Sequence, residues 1–159
     1  MSKVPKREEY LRKPEWLKIS LRSTANTADV EHIVEGKCLH TICTSGMCPN
    51  KAECWSRRTA TFMILGDICT RNCRFCATTT GRPLPVDQEE PMKVAESVKQ
   101  MGLKHVVITS VTRDDLPDHG AKIWAETVEA VRSLNPNSTI ELLISDMDAR
   151  PELIDVVLA

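Results

Sequence analysis

Three cysteines stand close together in residues 69–76, at a Cys-x3-Cys-x2-Cys spacing. They come shortly after the apolar run 60–65, which predicts a buried strand that leads into a loop of metal ligands. Three thiolates at this spacing can ligate three irons of a cubane 4Fe-4S cluster, whose irons ordinarily take four. One iron would be left open, and a small molecule can bind at an open coordination position.

All seven cysteines of the 159-residue chain lie between Cys38 and Cys76. An odd count, polar first residues without a secretion signal, and a reducing compartment argue against a disulfide framework and favour metal binding or catalysis. Cys43, Cys48 and Cys54 form a second triple, at a Cys-x4-Cys-x5-Cys spacing. Structural zinc sites usually contain Cys-x2-4-Cys pairs, so zinc would need an irregular ligand set here.

Cys38 lies outside both triples, and a spare cysteine of this kind is more often a buried or idle thiol than a ligand. Arg71, Arg74 and Arg82 lie near the first triple in sequence. Positive charge beside an anionic cluster stabilises its reduced form and raises its potential, although some of these arginines could be ordinary surface residues.

The composition, 42% hydrophobic and 27% charged residues, is that of a soluble globular protein. A net charge of −1 gives no reason to expect nucleic acid or membrane as a partner, and no apolar run approaches a spanning helix. We therefore expect a cytoplasmic protein. Residues 1–25 hold seven Lys and Arg against three Glu, which predicts a solvated arm or, less favoured, a docking surface for an acidic partner.

From residue 87 onward, predicted helices alternate with predicted strands. Apolar stripes and stop signals predict helices over 87–101 and 120–134, strands over 105–109 and 139–144, and a helix that begins at 151. Strands that alternate with helices imply a parallel sheet with crossover connections. The stretches 13–21 and 24–34 are short amphipathic segments, and we interpret both as an extension outside the core.

The octapeptide from Cys69 to Cys76 resembles the signature of the radical S-adenosylmethionine (radical SAM) enzymes, with Phe75 at the aromatic position before the third cysteine. Together with Cys43-x4-Cys48-Pro-Asn-x3-Cys54-Trp55, it is similar to the lipoyl synthase family over roughly residues 13 to 145. The likeness continues through five further stretches: Gly81-Arg-Pro83, Glu90-Pro91, Met101-Gly-Leu103, Val106-Val-Ile-Thr-Ser-Val111 and Arg113-Asp-Asp-Leu-Pro-Asp118.

This resemblance implies an α/β fold that is a partial (β/α) barrel of the radical SAM type, with about three of six βα units. A cysteine-rich N-terminal extension with the auxiliary cluster motif would occupy residues 1–58, and the first half of the barrel residues 59–159. Residues 156–159 show no cap or stop signal. We therefore expect the N-terminal portion of a longer protein, inactive by itself.

The resemblance also implies two 4Fe-4S clusters and S-adenosylmethionine as cofactors. Cys69, Cys73 and Cys76 would hold the catalytic cluster, which cleaves S-adenosylmethionine to a 5′-deoxyadenosyl radical. Cys43, Cys48 and Cys54 would hold an auxiliary cluster that donates sulfur to carbons 6 and 8 of a protein-bound octanoyl-lysine. The implied partners are an octanoylated lipoyl carrier domain and an electron donor such as ferredoxin or flavodoxin.

The polar loop after the second strand would lie at the mouth of the barrel, where the chemistry of such folds collects. Ser110 and Asp114 are predicted contacts of S-adenosylmethionine, and Phe75 would lie beside its adenine or shield the cluster. For Arg113 and Asp114, an ion pair within the loop is an equally good interpretation.

Two departures from the family pattern stand out. No Arg-Ser-Ser-Tyr motif, whose serine completes the auxiliary cluster in the family, occurs in these 159 residues, and Ser145-Asp146-Met147 replaces the usual Pro-Asp-Phe. Three alternatives remain open: another radical SAM sulfur-inserting enzyme, a ferredoxin-like electron carrier, or a zinc-stabilised binding module. A ferredoxin-like carrier would usually have four-cysteine sets.

Overall fold

A computed structural model describes residues 13–18 and 24–159, and most of the basic leader therefore lies outside the described residues. The longer helices are α1 (Ala25–Gly36), α4 (Glu90–Met101), α5 (Ala121–Leu134) and α6 (Pro151–Leu158), and the shorter ones are α2 (Ile42–Ser45) and α3 (Lys51–Ser56). The strands are β1 (His40–Thr41), β2 (Thr61–Ile64), β3 (Ile68–Cys69), β4 (Thr79–Thr80), β5 (His105–Ser110) and β6 (Thr139–Leu143).

The main sheet has the strand order β1-β2-β5-β6. β2 pairs in parallel with β5, and β5 in parallel with β6, so α4 and α5 form the connections between parallel strands. This architecture confirms the predicted mixed α/β fold with a parallel sheet and helices, consistent with a partial radical SAM β/α fold. β1 comes from the cysteine-rich region and pairs antiparallel with β2, which the sequence did not predict.

The apolar stripes of α4 and α5 cover the sheet, as their 3.6-residue period predicted. The apolar stripe of α4, formed by Val94, Ala95, Val98 and Met101, is buried. In α5, the inward residues Ile123, Trp124, Thr127, Val128 and Val131 are buried, and Leu134 is partly exposed. The largest fully buried side chains include Trp124 of α5 and Phe62, Met63 and Ile64 of β2. Burial on both faces is typical of a central parallel strand and explains why residues 60–65 are an uninterrupted apolar run.

The stretch 24–34 does not lie outside the core, and that interpretation was wrong. Thr24 caps α1 through the backbone N–H of Thr27, and Val30 and Val34 of that helix are 0% and 5% exposed. They belong to the same hydrophobic cluster as the barrel strands. The error arose because only three apolar residues mark the inward face of α1. Burial of this face requires a neighbouring element that local periodicity does not reveal.

No helix within residues 13–18 and 24–159 is long and apolar enough to cross a membrane. Within the same residues, β6 pairs with β5 alone, and Leu143 at its end is 54% exposed. β6 is therefore an edge strand of the main sheet in the described part of the chain, and it ends at residue 143, one residue before the predicted end at 144.

We expect Gly120→Ala to destabilise the protein by about 2 kcal/mol, because a side chain at left-handed φ and an overfilled core each cost about 1–3 kcal/mol. Gly120 has a φ of +87°, and an added Cβ would overlap the Cδ1 methyl of the buried Leu65. Chemical denaturation would measure the free energy of unfolding. Gly36→Ala is the matched control, since nothing lies within 4 Å of its Cβ position. Equal stability of the two variants would contradict the expectation.

Candidate functional site

The segment that carries the first cysteine triple is a closed loop. It begins at β3, which pairs in parallel with β4, and Cys69 is in register with Thr80. The backbone N–H of Gly81 donates to the carbonyl of Cys69 at 3.0 Å, and the hydroxyl of Thr80 donates to the carbonyl of Arg71 at 3.2 Å. These contacts hold the two ends of the loop together, so its cysteines project from one short segment. We call residues 69–80 the cluster loop.

Two of the three thiols of the cluster loop, those of Cys69 and Cys76, accept hydrogen bonds. The sulfur of Cys69, which is half-buried, accepts the backbone N–H groups of Thr112 at 3.3 Å and Arg71 at 3.5 Å. Cys76 is exposed, and hydrogen bonds from the hydroxyl and backbone N–H of Thr78 lower the pKa of its thiol. Such donors stabilise the thiolate, which is the form that ligates iron. Cys73 is also exposed.

The donor set suits a cluster better than a single ion. No group of three or more His, Cys, Asp or Glu side chains in the described part of the chain could hold one metal ion. The ligands of one ion must converge on a point, whereas a cubane is wider and each of its thiolates reaches a different iron. Three thiolate donors on one loop are the donor type that a 4Fe-4S cluster takes.

The second triple comes together from three local segments. Cys43 lies on α2, Cys54 lies on α3, and Cys48 lies between these helices. Burial raises the pKa of the Cys54 thiol, and the nearby Cys43 and Cys48 raise it further. Thiolates at Cys43 and Cys48 would therefore repel a thiolate at Cys54, and bound iron would relieve that repulsion. Cys38 is exposed, so of the two alternatives, a buried or an idle thiol, the structure excludes the buried one.

The three predicted contacts of S-adenosylmethionine have different surroundings. Phe75 is 95% exposed at the tip of the cluster loop. Ser110 ends β5, and its Oγ is buried and has no hydrogen-bond partner among the described residues. Asp114 is already engaged, because Thr70 donates to its Oδ2 at 2.9 Å and Arg71 donates to both of its oxygens. Of these side chains, Ser110 has the polar atom that remains free for a ligand.

Arg71 joins three loops at the carboxyl ends of the parallel strands. Its Nε and Nη2 donate to Asp114 at 2.8 and 2.7 Å, and its Nη1 donates to Asp146 at 2.7 Å. These hydrogen bonds hold the pKa values of both carboxyls below their usual range. The cluster loop is thus tied to the segments that follow β5 and β6. We call Arg71, Asp114 and Asp146 the loop clamp.

Comparison with known proteins identifies the family. Residues 63–159 match the Radical SAM superfamily. The chain belongs to the radical SAM superfamily. Membership implies a 4Fe-4S cluster and S-adenosylmethionine as cofactors, in agreement with the all-sulfur donor set of the cluster loop.

Several curated proteins that are similar to this chain are lipoyl synthases. The chain is 58% identical to a lipoyl synthase of Parabacteroides distasonis over 149 residues, 94% of this chain and 53% of that protein. It is 58% identical to a lipoyl synthase of Bacteroides fragilis strain YCH46 over 151 residues, 95% and 52% of the respective chains. The identity to a lipoyl synthase of Shouchella clausii is 53% over 167 residues, 98% and 54% of the respective chains. The chain spans about half the length of the curated relatives it matches.

Two buried charged residues beside the cluster loop of this radical SAM protein have roles that the sequence did not indicate. Arg113 is 2% exposed; it pairs with Asp115 through Nε at 2.8 Å, and its Nη1 donates to the carbonyl of Leu65 at 3.2 Å. Glu90 is 5% exposed and accepts the backbone N–H of Leu65 at 2.7 Å. Both side chains therefore hold the residue that follows β2. The ion-pair interpretation of Arg113 and Asp114 describes the observed contacts, although their partners are Asp115 and Arg71.

Glu90 was missed because Glu90-Pro91 resembles an ordinary helix start, where acidic residues are common. The available signal was an acid in the first turn of the helix that follows the cluster loop.

Burial, the largest cause, raises the pKa of the Glu90 carboxyl to about 7, and nearby Asp87 raises it further. Hydrogen bonds from Leu65 and Gly66 and the charge of Lys93 act in the opposite direction. Glu90 also borders a cavity of about 190 Å³ with Cys38, His40 and Asp67.

We expect Glu90→Gln to remove part of the pH dependence of stability. Since the pKa is raised in the folded state, the contribution of Glu90 is fully present below about pH 4.5 and is lost as the pH rises through about 7. A shift of this size corresponds to about 3 kcal/mol. Denaturation at several pH values between 5 and 8 should therefore show the variant gaining stability relative to the parent as the pH rises. Parallel stability curves for the two proteins would contradict the expectation.

We expect Arg71→Lys to loosen two loops at once, because one ammonium group cannot contact carboxylates on both sides as the guanidinium does. Hydrogen exchange of the peptides that contain residues 69–80 and 112–116 should accelerate about fivefold or more. Arg57→Lys is the matched control, since Arg57 makes one exposed ion pair with Glu53 on its own helical turn. Exchange unchanged from the parent in both peptides would mean that the loop clamp does not hold these loops.

Proposed function

We propose that this chain provides the cluster-binding and cofactor-binding part of a lipoyl synthase. The observation that carries the proposal is the pair of cysteine triples. One lies on the cluster loop at the carboxyl end of a parallel strand, and the other is carried by α2, α3 and the turn between them. The 58% identity to a lipoyl synthase supports this assignment, because it extends over 94% of the chain.

Cys69, Cys73 and Cys76 would be the ligands of the catalytic cluster, and Cys43, Cys48 and Cys54 the protein ligands of the auxiliary cluster. When bound, the two clusters and S-adenosylmethionine supply a radical that abstracts hydrogen, and sulfide that replaces it at carbons 6 and 8 of an octanoyl chain. The cofactors provide this chemistry, whereas the protein positions the reactants and excludes water.

Several residues of the cluster loop and its neighbours would perform that positioning. The backbone N–H of Thr112 donates a hydrogen bond that orients the sulfur of Cys69. Thr78 lowers the pKa of the Cys76 thiol and so favours the thiolate that ligates iron. Ser110 offers a free hydroxyl to S-adenosylmethionine, and Phe75 offers a ring to its adenine. A direct contact by Asp114 remains a prediction, since its present hydrogen bonds indicate a role in holding Arg71.

The substrate would be an octanoyl group on the lysine of a lipoyl carrier domain, and the electron would come from ferredoxin or flavodoxin in the cytoplasm. No role in nucleic acid or membrane binding is part of the proposal. Residues 1–58 would be the auxiliary-cluster extension and residues 59–159 the beginning of the barrel. The hydrophobic core is continuous across that boundary, so the two parts would fold as one unit.

Iron analysis of the anaerobically reconstituted protein tests the two-cluster assignment. We expect about eight irons and eight sulfides per chain, and about four of each when either triple is replaced by Ala, because each 4Fe-4S cluster is a separate site. Since the chain by itself is expected to be inactive, turnover is measured in a protein extended to the length of the lipoyl synthases that it matches. There the parent should convert an octanoylated carrier domain to the lipoylated form, detected as a mass change, and both triple variants should lose this activity.

Cys38→Ala is the matched control, because Cys38 is exposed and belongs to neither triple. It should retain the full iron content and turnover. Stoichiometric zinc instead of iron would contradict the proposal and favour a binding module. Eight irons with a response to S-adenosylmethionine but no turnover of the octanoyl carrier would point instead to another radical SAM sulfur-inserting enzyme.

A further inference from the structure

The backbone turns sharply between the end of β2 and the start of the cluster loop. Leu65 has a φ of +69° and Gly66 a φ of +95°, so two consecutive residues are in the left-handed region. Glycine adopts this conformation readily, but leucine rarely does. Leu65 is also 3% exposed, so solvent does not satisfy its peptide groups. A buried leucine persists in this conformation only when its surroundings hold it there.

The surroundings hold both polar groups of Leu65. The carboxylate of Glu90 accepts its N–H at 2.7 Å, and the guanidinium of Arg113 donates to its carbonyl at 3.2 Å. Glu90 and Arg113 come from different elements, the first turn of α4 and the loop after β5. They are 5% and 2% exposed, so neither interaction is weakened by competing water.

The side chain of Leu65 is held as well. Gly120, which precedes α5, leaves room for its methyl groups, and any larger residue there would overlap them. The turn is thus bounded by α4, by the loop after β5 and by the start of α5. Three residues after Gly66 the chain reaches Cys69, the first sulfur of the cluster loop. An error in the direction of the turn would displace that sulfur and the loop that follows.

We propose that Glu90 and Arg113 are positioning residues that hold Leu65 in its left-handed conformation and thereby set the place of the cluster loop. Neither residue touches the cysteine ligands in the described contacts; both act through the Leu65 peptide groups. This inference goes beyond the proposed function, since it requires the radical SAM cluster and S-adenosylmethionine but no particular substrate.

Two conservative variants of the reconstituted protein separate geometry from charge. Glu90→Gln keeps an acceptor oxygen at the same reach, whereas Glu90→Asp keeps the charge but is one methylene too short to reach the N–H of Leu65. The dissociation constant of S-adenosylmethionine follows from the change that it causes in the electron paramagnetic resonance spectrum of the reduced cluster. We expect the Asp variant to bind about tenfold more weakly, as loss of one buried hydrogen bond predicts, and the Gln variant within about twofold of the parent.

A second measurement needs no cofactor. In the metal-free protein, hydrogen exchange of the peptide over residues 61–69 should accelerate in Glu90→Asp and remain near the parent rate in Glu90→Gln. Glu96→Asp is the matched control on the same helix, because Glu96 is half-exposed and pairs with Lys37. It should change neither measurement. If Glu90→Asp fails to fold, Arg113→Lys tests the same turn from the carbonyl side, and the same loosening and weaker binding are expected.

Three results would overturn the proposal. Parent-like binding and exchange in Glu90→Asp would show that the Leu65 hydrogen bond does not position the loop. Weakened binding in Glu90→Gln with normal binding in Glu90→Asp would assign the effect to charge. A loss of iron from both triples and faster exchange throughout Glu90→Asp would indicate a general structural role. Failure to modify an octanoylated carrier would bear on the proposed function alone, since neither measurement depends on it.

Discussion

The hydrogen bond between the Glu90 carboxylate and the Leu65 N–H links the folding of the core to the geometry of the site. β2 is the most deeply buried strand of the sheet, and its position is set by hydrophobic packing. Packing is not directional, however, and cannot determine which way the chain leaves the strand. A buried hydrogen bond of 2.7 Å is directional, and together with Arg113 the Glu90 carboxyl orients the peptide groups of Leu65. These two contacts direct the chain from β2 toward the cluster loop.

The same arrangement of charge recurs around the cluster loop. Arg113 is neutralised by Asp115 of its own loop, and Arg71 by Asp114 and Asp146 of the two neighbouring loops. Arg71 is nevertheless within two residues of a cysteine on either side. Its positive charge can act on an anionic cluster while its hydrogen bonds organise the loops. Structural and electrostatic roles are combined in one side chain.

Most of the fold could be predicted because it follows from local periodicity. The buried faces of α4 and α5, the crossover helices and the parallel strands agree with their apolar patterns to within a few residues. The failures involve contacts between distant segments. α1 has a short apolar face that is buried only because α3 and the sheet lie against it, and β1 is a two-residue strand that exists only through its pairing with β2. Neither feature has a local signal strong enough to detect.

The sequence by itself determined the chemistry that the chain can offer. Ligand type and spacing are covalent properties, so two cysteine triples and the residues between them can be assigned without coordinates. Only the tertiary structure decided which charged residues support the site. The partners of Leu65 lie 25 and 48 residues away, and Arg71 meets Asp146 across 75 residues. The local sequence does not show whether a charged residue will be solvated or buried. Its hydrogen-bond partners are set only when the chain folds.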